Sequence, residues 1–221
     1  MLITTPSSFP IRENSCICFC KCIESLADAY LIPIGNNEGE VMRYFLGLEL
    51  SKEIQKWHGE LVQSLVRELN IAPYQKAPPH VTIRAPQTFH SVEPVVRYLE
   101  EKVSEFSPVS LELAGFRCCV ETGSPHEYAV VITVSGDAVH SFRQQVLPIH
   151  LWDFAERLFP HISVARRLHE DVARDAVALL TDGIQLRGTS VSAHLSLFCE
   201  ESGVWIRHKT FPLATSSLTV F

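Results

Sequence analysis

Two short stretches decide how this chain is read: Pro78-Pro79-His80-Val81-Thr82-Ile83-Arg84-Ala85 and Pro160-His161-Ile162-Ser163-Val164-Ala165-Arg166. Each begins with proline, continues as histidine–apolar–hydroxyl–apolar, and is followed by a segment with helical spacing. In a β-strand, alternate side chains point to opposite faces. His80 and Thr82 therefore share one face, and Val81 and Ile83 the other. His161 and Ser163 are set against Ile162 and Val164 in the same way. The apolar faces can pack on helices while the imidazoles and hydroxyls look into a cleft.

The pattern His-any-Ser/Thr is not rare in itself. With 31 Ser and Thr and ten His in 221 residues, one or two matches arise by chance, and four occur. The other two are His194-Leu195-Ser196 and His208-Lys209-Thr210. His80 and His161 are preferred because both follow proline, open a strand that leads into a helix, and hold matching places in a weak internal repeat. In that repeat PPHVTIRA precedes a helix and then SLELAGFRCCV, while PHISVAR precedes a helix and then IQLRGTSVSAHLSLF. Two similar lobes about a pseudo-twofold axis would bring both motifs to one cleft.

Outward from the motifs, YFLGLEL (Tyr44–Leu50) reads as a buried strand and Ser51 as the cap of a helix to Leu69. The stripe of that helix is Ile54, Trp57, Leu61, Leu65 and Leu69. A second helix is expected over Ser91–Phe106, with Pro94 in its first turn. Strands follow near Val109–Val120 and Tyr128–Val134, then a short helix over Ala138–Val146. After His161–Arg166 comes a helix over Glu170–Leu180, with Gly183 as C-cap. Three strands close the chain, near Ile184–Val191, Ala193–Cys199 and Val204–Lys209. Alternating helices and strands point to an α+β or α/β fold.

Composition narrows the function. Hydrophobic residues make up 46% and charged residues 20%, a globular balance, and the net charge of −6 argues against a protein that grips long nucleic acid by its phosphates. No apolar run approaches the roughly 20 residues needed to span a bilayer. The start MLITTPSSFPIREN lacks a secretory pattern, so a cytoplasmic protein without membrane contact is expected. Residues 1–40 read as an irregular extension of unassigned role, and 41–221 as the functional domain. Four of the seven cysteines alternate (Cys16, Cys18, Cys20, Cys22). Zinc sites more often use pairs spaced C-x₂₋₄-C with a distant second pair, so reduced, idle thiols fit better than a metal or redox centre.

The chemistry of two histidines with two hydroxyls suits a phosphodiester. A neutral imidazole can accept a proton from water or a hydroxyl, a protonated one can give a proton to the leaving oxygen, and the hydroxyls can donate to the non-bridging oxygens. No metal or cofactor is required.

On these residues the sequence resembles the two-histidine (2H) phosphoesterases, and within them the RNA 2′,3′-cyclic phosphodiesterase / 2′-5′ RNA ligase (LigT-like) group. That group carries two His-apolar-Thr/Ser-apolar motifs some eighty residues apart; here 81 positions separate them. The similarity extends from about Arg43 to Leu213 and takes in YFLGLEL, Leu113–Phe116 (LAGF) and the closing LSLF…VWIRHKTF. It implies a bilobal α+β fold with two antiparallel sheets and flanking helices around a central cleft. It implies His80 and His161 as general acid and base, with Thr82, Ser163 and Arg166 on the phosphate, Arg166 holding the place of the group's phosphate-binding arginine. It also implies a product carrying its phosphate on the 2′ oxygen, and an aromatic ring stacked on the base, for which Tyr44 and Phe45 are candidates. The expected substrate is a 2′,3′-cyclic phosphate or related diester of an RNA end or small nucleotide, acted on by a monomer. The alternatives are 2′-5′ ligation or 2′,5′-phosphodiester cleavage on the same site, and a non-catalytic nucleotide- or RNA-binding module.

Overall fold

The computed structural model describes residues 41–73, 76–121, 124–148, 150–152, 159–184, 186 and 188–214. The 1–40 extension and its cysteines lie outside them. The first strand, β1 (Met42–Glu49), turns Tyr44, Leu46 and Leu48 to the core. Helix α1 (Lys52–Leu69) starts where Ser51 accepts a hydrogen bond from the Ile54 amide, and stops at Asn70, which adopts the left-handed conformation. Its buried stripe is the expected Ile54, Trp57, Leu61 and Leu65, with one polar intruder, His58.

Strand β2 (His80–Phe89) runs past Pro86, four residues beyond its expected end at Ala85. It can do so because β2 is an edge strand, where a missing N–H costs no ladder bond. Helix α2 (Glu93–Lys102) is shorter than expected, its tail tightening into a 3₁₀ turn at Val103–Glu105. Next come β3 (Val109–Glu121), β4 (Ser124–Val134), α3 (Asp137–Val146), β5 (His161–Leu168) and α4 (Glu170–Gly183). Gly183 is the last residue of α4 and not its cap. The chain then gives β6 (Thr189–Ser192), β7 (His194–Glu201) and β8 (Val204–Pro212). The strand expected over Ile184–Val191 shrinks to β6, because Gly188 sits at φ +52°, outside the extended region.

Two four-stranded antiparallel sheets result, ordered β2-β1-β7-β8 and β5-β4-β3-β6. This is the two-sheet α+β architecture expected, but the repeat is larger than the sequence suggests. Its unit is strand–helix–strand–helix–strand: β1-α1-β2-α2-β3 and β4-α3-β5-α4-β7, with β6 interposed. The third strand of each unit crosses into the sheet of the other. Each motif strand ends up at the edge of its own sheet, and β2 and β5 are in contact. Among the described residues, no helix is long and apolar enough to cross a membrane.

Candidate active site

The prolines before each motif deliver the chain to its strand in extended form. On β2, Val81 and Ile83 are buried in the core while His80 and Thr82 stay half-buried on the opposite face. On β5, Ile162 and Val164 are buried, and His161 and Ser163 are half-buried. Because β2 and β5 abut, both imidazoles and both hydroxyls belong to one seam between the sheets.

The two rings are anchored alike. His80 Nδ1 lies 2.7 Å from the Pro78 carbonyl, and His161 Nδ1 lies 3.0 Å from the Phe159 carbonyl. A carbonyl can only accept, so each Nδ1 carries the proton. In the neutral ring Nε2 is then the accepting nitrogen. An aromatic ring supports each: Phe45 at 4.5 Å from His80, and Phe159 at 4.9 Å from His161. Gly47 on β1 makes room for the first. A Cβ there would sit 3.1 Å from His80 Cδ2 and 3.3 Å from its Cβ and Cγ.

A β-bulge follows the hydroxyl of each motif. On β5, Ser163 pairs with Val131 but Ala165 with Val130; on β2, Thr82 pairs with Gly47 but Arg84 with Leu46. The extra residue reverses the alternation. Ala165 and Arg84 therefore turn to the core face, and Arg166 moves to the cleft face. Arg84 is 2% exposed and donates to the Leu147 carbonyl at 2.8 Å. The bulge thus makes Arg84 a buried side chain where a strand-edge arginine would ordinarily be a solvated charge. Arg166 is held by Glu121 through two bonds, Nη2 to Oε2 at 2.7 Å and Nε to Oε1 at 3.1 Å. Glu121 also accepts the Arg167 amide, fixing the turn where Arg167 has φ +58°.

Other candidates fall elsewhere. Tyr44 is buried with its ring edge against Phe89, and Phe45 lies beneath His80, so neither offers an open stacking face. The half-buried aromatic on that side of the sheet is Trp205, 4.9 Å from Phe45, with the Arg43 guanidinium 5.6 Å from its ring. Its place in β8, beside Arg207, was the available sequence signal. The rival His194 and His208 lie on β7 and β8, away from the seam. Their partner hydroxyls, Ser196 and Thr210, bond each other at 2.8 Å and both bond Glu49, which also pairs with Arg207.

The seam can be set against known proteins. A family model described as the 2′-5′ RNA ligase superfamily matches residues 48–198, a span that includes both motifs. The chain belongs to this 2H phosphoesterase superfamily. E. coli LigT complexed with 3′-AMP superposes with a TM-score of 0.54 at 12% identity, covering 79% of this chain and 99% of LigT. TT0787 of Thermus thermophilus gives 0.53 at 14% identity, covering 79% and 100%. At these identities the likeness is one of fold. No curated protein matches the chain.

In this superfamily member the seam disfavours protonation of both imidazoles. Burial is the main cause at His80, opposed by the Pro78 carbonyl and reinforced by the charges of His161, Arg166 and His58; its pKa is pushed down to about 4. His161 is lowered by burial too, opposed by the Phe159 carbonyl and reinforced by Arg143 and Arg166. His58 is lowered by burial. Both candidate catalytic rings are therefore neutral at pH 7 in the free protein, where unperturbed rings would be mixed. A bound phosphodiester anion would favour the protonated form of one ring.

The same shifts govern stability. Histidines of the unfolded chain titrate near ~6.5, and the native ones lower. Between those values the unfolded state binds more protons, so stability is complete above about pH 6.5 and lost as the pH falls toward about 4. Urea midpoints are expected to drop between about pH 7.5 and about 4.5, and to drop less in His80→Gln. A midpoint flat across that window in the wild type would contradict the burial of these rings.

Proposed function

We propose that this protein is a metal-independent phosphodiesterase that opens a 2′,3′-cyclic phosphate, or a related diester, at an RNA end or on a small nucleotide. The observation that carries this is the matched pair of imidazoles on abutting edge strands, each with Nδ1–H tied to a carbonyl and Nε2 as the neutral acceptor. One Nε2 takes a proton from water as the water oxygen attacks phosphorus. The other imidazole, protonated with the substrate anion in place, gives its proton to the departing 3′ oxygen. The new P–O bond, the broken P–O bond and the two proton transfers balance, leaving a 2′-phosphate. Thr82 and Ser163 hydroxyls donate to the non-bridging oxygens, and Arg166 adds positive charge from the cleft face.

Two of the related structures support a nucleotide substrate: LigT has been crystallised with 3′-AMP and with NADP+. With a 5′ hydroxyl in place of water as the attacking oxygen, the same two proton transfers would open the cyclic phosphate to a 2′,5′ linkage, the product for which the superfamily is named. We assign the reaction to residues 41–221, in a cytoplasmic monomer.

The test is direct. Purified protein is incubated with each nucleoside 2′,3′-cyclic phosphate after exhaustive chelation, and products are read by phosphorus NMR. Turnover that survives EDTA, with signal at the 2′-phosphate, is expected. Loss of activity on chelation with rescue by one divalent metal would point to a metallo-hydrolase. A 3′-phosphate product would keep the site but reverse the leaving group.

A further inference from the structure

Edge strands present unpaired main-chain groups, and both motif strands are edges whose seam is closed by protein. The carbonyl of each motif hydroxyl residue needs a donor there. His58 Nε2 on α1 lies 2.7 Å from the Ser163 carbonyl, and Arg143 Nε on α3 lies 3.1 Å from the Thr82 carbonyl. Each is the seventh residue of its helix, and α1 and α3 hold equivalent places in the two repeat units. Each helix precedes the motif strand of its own unit but packs on the motif strand of the other. His58 is 6% exposed and Arg143 3% exposed, and both interrupt otherwise apolar buried faces.

We infer that His58 and Arg143 are a pair of positioning residues, crossed struts that set the backbone of Ser163 and Thr82 and so align the two halves of the site across the seam. The inference rests on the reaction proposed above. A buried polar side chain in an apolar helix face is costly unless it is bonded, and each of these two donates to one backbone carbonyl of a motif. The bonded carbonyls belong to the residues at which the bulges begin, so the struts also hold the step that sends Arg166 to the cleft and Arg84 to the core. His58 donates through Nε2, which makes it the neutral Nε2–H tautomer, the opposite of His80 and His161. Burial, which favours neutral His58, agrees with that role.

The experiment compares donor-lost variants, His58→Leu and Arg143→Met, with donor-kept variants, His58→Gln and Arg143→Lys, in the full chain. Displacing a reacting group by about 1 Å costs up to about 100-fold in rate. The donor-lost variants should lose about 10- to 100-fold in kcat on a nucleoside 2′,3′-cyclic phosphate, with KM within about twofold. The donor-kept variants should recover most of that kcat. Equal losses in both kinds at equal Tm, or no loss in any, would overturn the strut. Where a donor-lost variant does not fold, its donor-kept counterpart decides: near-native kcat supports the strut and a loss of about 100-fold overturns it.

Failure of the reaction itself is distinguishable. If the wild type turns over no cyclic phosphate, the strut is read from nitrogen-15 spectra of the His80 and His161 rings. Donor-lost variants should move those signals and donor-kept variants leave them in place. Signals unmoved in every variant would overturn it independently of any substrate.

Discussion

Alanine at His80 or at His161 is expected to remove roughly 10²–10⁴-fold of the turnover of a nucleoside 2′,3′-cyclic phosphate, because each substitution deletes one of two proton-transfer groups. The fold should survive. Val81 and Ile83, which anchor β2 to the core, are untouched, as are Ile162 and Val164 of β5. What is lost locally is one hydrogen bond, to the Pro78 or the Phe159 carbonyl, with a typical net worth of about 0.5–1.5 kcal/mol, together with the ring's contact with Phe45 or Phe159. Thr82→Val and Ser163→Ala should cost less in rate, since the acid–base pair remains. The wild-type profile of kcat/KM against pH should be a bell centred below about 6.5, because it reports the free protein, where both rings are depressed. Its two apparent pKa values belong to the coupled pair. Wild-type rates in both alanine variants would end the assignment of this seam as an active site.

The second large effect is expected at a residue that carries no functional group. Gly47→Val should lower kcat by about 100-fold, far beyond what its cost in stability of about 1–3 kcal/mol from overpacking would account for. Gly47 lies in β1 between β2 and β7, opposite Thr82 and Ser196. Valine is a better strand former than glycine, and the backbone there needs no glycine conformation. The obstacle is His80. Even a Cβ meets its ring at 3.1 Å, and the branched methyls of valine reach further. The imidazole must swing off its Pro78 anchor or its contact with Phe45. A thermal melt beside a rate measurement checks the claim. Loss of activity only in proportion to loss of folded protein would refute it.

The sequence carries the periodic features of this molecule well. Ser51 as a cap, the stripe Ile54-Trp57-Leu61-Leu65, and the alternation around His80 and His161 are local, and local rules read them correctly. The features it conceals are those set by register. Nothing near Arg84 says that a bulge turns it inward, and nothing near Arg166 says that the same device turns it out. Both follow from a slip against a strand distant in the chain. Gly47 is silent because its role is absence of bulk beside a ring 33 positions away. His58 sits on a face that reads as solid core, and only the crossing of α1 onto β5 reveals what it meets.

The exchange of third strands between the two repeat units also governs how the molecule comes into being on the ribosome. Tyr44 through Leu48 find their β7 partners only at Leu195–Cys199. The sheet that carries the first histidine therefore stays incomplete until nearly the whole chain has emerged. Pairing over such separations is slow to form, and its apolar strands wait exposed meanwhile. A chain cut after the first unit would display β3 without the sheet it completes. A second copy could supply the missing strand, so such a fragment is built to exchange strands as a dimer.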